Sequence, residues 1–91
     1  MESRRRRLER QLLRALDCLT RMRLATNEPV LAVETALEAI TVDPYREQGY
    51  QLVMRCYEAG GNRAKAVETY HVFRELLASE LGTAPSAETE A

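Results

Sequence analysis

Few residues in this chain have types and spacings suited to chemistry. His71 is the single histidine, set between Tyr70 and Val72 in a helical stretch. An unpaired histidine of this kind reads as a surface residue, because a catalytic base needs a nucleophile or substrate proton within reach. Cys18 and Cys56 are too far apart in sequence for a CxxC pair and have only His71 as a further soft ligand, which rules out the usual zinc spacings. Both fall in helical stretches rich in apolar residues and are expected to be small core residues in a reducing compartment. Gly60-Gly61 lacks the Lys-Ser/Thr that completes a phosphate loop, and it reads as a turn between helices. The carboxylates scatter along helix faces. The expectation is therefore a non-enzymatic chain with no catalytic, cofactor-binding or metal site and no cofactor.

Charge is the more informative chemistry. The formal net charge is −1, but residues 1–23 hold eight arginines against Glu2, Glu9 and Asp17, a net of +5. Residues 24–91 hold five basic and eleven acidic groups, a net of −6. A basic segment of this kind can meet nucleic acid, an anionic membrane or an acidic protein surface, and its plainest role is a solvated helix face. No recognition-helix pattern follows it, and no aromatic residues interleave for base stacking, so direct nucleic-acid contact is not expected. No apolar run nears the ~20 residues of a membrane span. The Arg run is not followed by a signal-peptide core, so the chain is expected in the cytoplasm with no membrane partner.

These groups must be positioned by helices. The chain is 45% hydrophobic and 30% charged, with no Trp and one Phe. That balance, rich in Ala, Leu, Glu and Arg, predicts an all-α domain. Leu8, Leu12, Ala15, Leu16, Leu19 and Met22 recur at three and four, giving a first helix over 3–25. Asn27 or Glu28 would cap a second helix opened by Pro29 and running to about 41. Its Ala32, Ala36 and Ala39 make a ridge that lets a neighbour come close. Asp43 as cap and Pro44 in the first turn predict a third helix over about 44–59. Gly60-Gly61-Asn62 separates it from a fourth over about 63–81, closed by Gly82 in the left-handed conformation. Val72 and Leu76 widen the apolar arc that Ala66, Tyr70, Phe73, Leu77 and Leu81 form on that fourth helix beyond the ~100° a surface helix needs. The stretch 83–91 is either a polar tail or the start of a fifth helix, with Ser86 as cap and Glu88 in its first turn.

The four helices form two copies of one unit. A shift of 34 residues pairs Leu16 with Tyr50, Leu19 with Val53, Asn27 with Gly61, Ala32 with Ala66 and Ala36 with Tyr70. Thirty-four is the tetratricopeptide period. The second copy resembles that pattern at Tyr50, Val53, Tyr57, Ala66 and Tyr70. The first matches at Leu16, Leu19, Ala32, Ala39, Asp43 and Pro44, and departs at Arg23. Met54 replaces the pattern's small glycine, which predicts a slightly splayed or repacked second hairpin. The expected fold is thus all-α, with four main helices as two tetratricopeptide-like antiparallel hairpins (1–82) and a truncated fifth.

A closer resemblance rests on Asp43-Pro44, Met54-Arg55, the Gly61-Asn62-Arg63-Ala64 turn with Ala66, Tyr70, Arg74, Leu76 and Leu77, Glu80-Leu81-Gly82, and Pro85-Ser86 with Glu88-Thr89. Over roughly residues 8–90 the chain resembles the bacterial transcriptional activator domain of regulators of the SARP type. Gly49, in mid-helix, departs from the helix former usual there. The resemblance implies a protein–protein module that works with a DNA-binding winged helix outside this chain and with RNA polymerase. In tetratricopeptide units the first helix of each pair lines the concave face. Carried over, that gives Arg14, Asp17 and Arg21 in one unit and Gln48, Gln51 and Arg55 in the other as a groove for a partner's carboxylates. Two repeats are fewer than such folds usually need. A homo-oligomer, most simply a dimer, is therefore expected, with Val72, Phe73 and Leu76 at the contact. Two other readings are a generic tetratricopeptide scaffold for an acidic peptide and a small DNA-associated protein using its Arg-rich helix.

Overall fold

The computed structural model describes residues 2–86 and residue 89. Four α-helices follow one another: α1 (Glu2–Ala25), α2 (Pro29–Val42), α3 (Glu47–Ala59) and α4 (Arg63–Leu76). They form two antiparallel hairpins in series, α1–α2 and α3–α4, and each helix packs mainly on the next one in the chain. No strand occurs among the described residues. The architecture is the expected tetratricopeptide-like one.

The 34-residue period is visible in the backbone. At the end of α1, the N–H of Asn27 donates to Leu24 O (3.1 Å) and that of Glu28 to Arg23 O (2.8 Å). At the end of α3, Gly61 donates to Glu58 O (3.0 Å) and Asn62 to Tyr57 O (2.8 Å). Each donor and each acceptor is 34 residues from its counterpart, and both sets are Schellman endings. Both need a left-handed residue, supplied by Asn27 at φ 60° and Gly61 at φ 76°. Asn62 caps α4 by accepting from the Lys65 N–H (3.2 Å). Glu28 occupies the cap position of α2 without a capping bond, and its carboxylate accepts from Thr26 instead.

Two boundaries differ from expectation. The third helix begins at Glu47 with Arg46 at its cap position, three residues later than Asp43-Pro44 predicts. Asp43 serves a turn instead: its Oδ1 accepts from the Tyr45 N–H at 3.2 Å. The Pro44 carbonyl is taken by the Tyr50 hydroxyl at 2.8 Å, which holds the turn off the helix. At the other end, α4 stops at Leu76 and widens into a π-helical turn, Leu77–Leu81, before Gly82 closes it at φ 66°. The π turn carries Leu77 inward and leaves Leu81 exposed.

The alanine ridge does what its side chains allow. Ala32, Ala36 and Ala39 are at most 1% exposed, and the first two pack with Leu52, Val53 and Cys56 of α3. Ala39 packs on Leu13 and Leu16 of α1. A third cluster, Tyr50, Phe73 and Leu77, closes α3 against α4, and Ile40 of α2 packs on it from the first hairpin. Tyr50 and Phe73 stack with ring centroids 4.4 Å apart and their planes 22° from parallel. Burial, and then the Asp43 charge, push the Tyr50 phenol above its ordinary pKa, so it remains a donor to Pro44. Between α1 and α2, the buried hydroxyls of Thr20 and Thr35 lie 2.8 Å apart and back-bond to carbonyls of their own helices. Met54, the residue equivalent to Thr20, lines a groove of about 230 Å³ with Ala66, Val67 and Tyr70.

Gly49 offers a direct test of packing. A Cβ built there would lie 3.4 Å from Ile40 Cγ1, an ordinary contact. The glycine is therefore not required by sterics. Gly49→Ala is expected to stabilise the domain by about 0.5–1 kcal/mol, the helix-propensity difference. Thermal unfolding with a lowered Tm would show that Ile40 cannot yield.

Candidate protein-interaction surface

The first helices of the two hairpins lie side by side. Arg14 and Arg21 are seven residues apart on α1, which places them on one stripe; Gln48 and Arg55 are their equivalents on α3. All four side chains are exposed. The arrangement can offer guanidinium groups to an anionic partner from two adjacent helices, and guanidinium forks match carboxylates in bidentate fashion.

Asp17 and Gln51 do not join them, although the spacing put them in the same groove. Asp17 Oδ2 is paired with Arg46 at the start of α3, and both side chains are mostly buried, 14% and 17% exposed. This ion pair ties hairpin one to hairpin two. The other guanidinium nitrogen, Arg46 Nη1, is buried without a hydrogen-bond partner, so Asp17 is its principal compensation. Gln51 Nε2 donates to Thr89 Oγ1 at 2.7 Å. The groove set of six therefore divides into four surface residues and two residues of the internal frame.

The stretch after Gly82 also takes part. Ser86 donates to Glu47 Oε2 through its backbone N–H (3.1 Å) and through its hydroxyl, and the Thr89 hydroxyl donates to the same oxygen. Pro85 is buried. The tail expected after Gly82 thus folds back onto α3. Ser86 O accepts from the Thr89 N–H at 3.1 Å, the spacing of a first turn, while Glu88 lies outside the described residues. Hydrogen bonds from Ser86, then Thr89, hold the Glu47 carboxyl below the ordinary glutamate range. A depressed carboxyl pKa favours the docked form above the undocked pKa, and that preference is lost as pH falls through the lower, docked value. Acid titration is expected to release Ser86 and Gln51 resonances with a midpoint below the ordinary glutamate pKa. Neutral Glu47→Gln should leave those resonances in the released position at pH 7. Signals that ignore both changes would overturn this docking.

The expected self-association residues also separate. Phe73 is fully buried beneath Tyr50, which withdraws it from any surface. Val72 is 54% exposed and lines a groove of about 230 Å³ between α2 and α4 with Leu37, Ile40 and Tyr57. Leu76 is half-buried against the Tyr50 cluster. The arc of α4 looked broad because one side of it is core and the other is surface. Sequence periodicity does not say which aromatic turns inward.

The soft and titratable groups complete the surface. Cys56 is buried, and that burial raises its thiol pKa; Cys18 is exposed on α1, contrary to the expectation that both are core residues. Neither forms a disulfide. His71 is exposed and meets the edge of Tyr70 at 5.3 Å. Among the described residues no group of three or more His, Cys, Asp or Glu could hold a metal ion. No helix among them is long and apolar enough to cross a membrane.

Compared with known proteins, residues 1–91 match a family model described as "Bacterial transcriptional activator domain". Neither the curated proteins nor the solved structures yield a match.

Proposed function

The chain belongs to the bacterial transcriptional activator domain family, and on that premise we propose that it is a non-catalytic protein-interaction and oligomerisation module. It works in the cytoplasm with a DNA-binding domain outside this chain, and relays between that domain and RNA polymerase. The family is a regulatory one, which favours this reading over a generic peptide scaffold. The observation that supports the surface assignment is the exposed set Arg14, Arg21, Gln48 and Arg55 on two adjacent first helices. A concentration of guanidinium groups on an otherwise acidic domain is suited to an acidic protein segment.

Charge reversal tests it. In capture experiments with the full-length regulator and polymerase holoenzyme, Arg21→Glu with Arg55→Glu is expected to weaken binding at least tenfold without loss of helix content. Capture that is unchanged by the double variant removes the surface from the proposal. Duplex DNA binding by the isolated chain is expected to be negligible across a salt titration; a steep salt slope would favour the Arg-rich helix as a phosphate-binding element.

A further inference from the structure

We propose that α1 pairs antiparallel with α1 of a second copy of this chain, through a stripe centred on Ala15. This inference rests on the oligomerisation part of the function above and assigns it to a different surface from α4. The stripe consists of Leu8, Leu12, Ala15, Leu19 and Met22, spaced by four, three, four and three residues. That is the 3.5-residue repeat of a helix–helix seam rather than the broader arc of a core-facing surface helix. The core side of α1 is a separate set, with Leu13, Leu16 and Thr20 buried. On the seam side Leu8 is 56% exposed, Leu12 47% and Met22 57%, Ala15 is exposed as well, and Leu19 is half-buried. Among the described residues, none of the five belongs to a buried cluster.

The charges select the occupant and its direction. Residues 3–12 of α1 are all exposed and carry Arg4, Arg5, Arg7 and Arg10 among them. At 100° per residue, Arg4 and Arg5 flank the Leu8–Leu12 stripe. A parallel pair would set these flanking arginines against their own copies. An antiparallel pair with Ala15 at the two-fold axis sets Leu8 against Met22 and parts the two Arg4 groups by ~33 Å, several Debye lengths at physiological salt. It also brings Arg4 and Arg5 beside the C-terminal end of the second α1, where the helix dipole favours cations and Glu28 is exposed. Arg23, which would oppose them there, is turned away: its Nη1 donates to Leu31 O at 2.9 Å. The small Ala15 permits close approach at the axis, and the closed two-fold pair leaves no free seam for further growth.

The test uses sedimentation and a cross-link on the whole chain. Wild type at ~100 µM, a concentration suited to an interface of one helix pair, is expected to sediment as a dimer. Leu12→Glu is expected to shift it to monomer with helix content and Tm retained, because Leu12 is 47% exposed and outside the buried clusters. In a Cys18→Ser background, Ala15→Cys is expected to form a disulfide-linked dimer on mild oxidation, since only residues at a two-fold axis meet themselves. A dimer that survives Leu12→Glu and is lost with Val72→Glu overturns this seam while leaving self-association through α4 standing. A monomer at every concentration overturns both.

Discussion

Phe73→Ala should come close to unfolding the domain. The ring is fully buried, stacks on Tyr50, and belongs to the cluster that closes α3 against α4. Truncating a buried phenylalanine removes its transfer free energy and leaves a cavity, about 3–5 kcal/mol together. A domain of this length has roughly 5–15 kcal/mol in all. Urea unfolding is therefore expected to show a midpoint lowered by roughly a fifth or more of the wild-type value, with the slope retained. The companion variant Tyr50→Phe keeps the stack and loses only the hydroxyl bond to Pro44, at a cost of about 1 kcal/mol. This pair of variants also separates core from surface. Were Phe73 a contact residue, its loss would weaken association and leave the folded monomer intact. A Phe73→Ala protein with unchanged urea midpoint would contradict the packing described for the second hairpin.

The second large effect is expected at Asp17. Its carboxylate compensates a guanidinium that is mostly buried and has a further nitrogen, Nη1, with no hydrogen-bond partner. Removing one member of a buried pair costs more than the pair contributes, because the remaining charge stays desolvated. Partial exposure of both side chains lowers the figure, so Asp17→Ala is expected to cost about 2–3 kcal/mol. Replacing both partners, Asp17→Leu with Arg46→Met, should recover most of that loss. A double-mutant cycle decides it: additive effects would mean that the two residues act independently and that no ion pair bridges the hairpins.

Much of this fold was legible in the residues themselves. Gly61-Asn62 and Gly82 marked turns because left-handed backbone favours glycine and because asparagine can cap a helix. The alanines of α2 announced a close helix contact by their size and spacing. The start of α3 is not legible locally, because Asp43 can satisfy either a helix N-terminus or a turn, and its local sequence is the same for both. The turn wins through the Tyr50 hydroxyl, six residues further on. Long-range partners left even less trace. Asp17 and Gln51 share the register of the exposed Arg14, Arg21, Gln48 and Arg55, but their partners come from 29 and 38 residues away. Periodicity assigns a face; it does not reveal which polar groups on that face are matched across the fold. The Thr20–Thr35 pair was hidden for the same reason, since two hydroxyls on apolar faces look like minor polar interruptions.

The serial packing of the helices also has a kinetic consequence. Because α1 meets α2, α2 meets α3 and α3 meets α4, nearly all contacts close short loops. Loop-closure entropy is then paid in small steps, which favours folding on the microsecond-to-millisecond scale. Each hairpin can form on its own clock, and docking of the α2 alanine ridge onto α3 is the event that makes them one cooperative unit. Amide exchange should therefore be slowest where α2 and α3 meet and quicken toward the outer helices, so that the ends of the chain open while its middle stays closed.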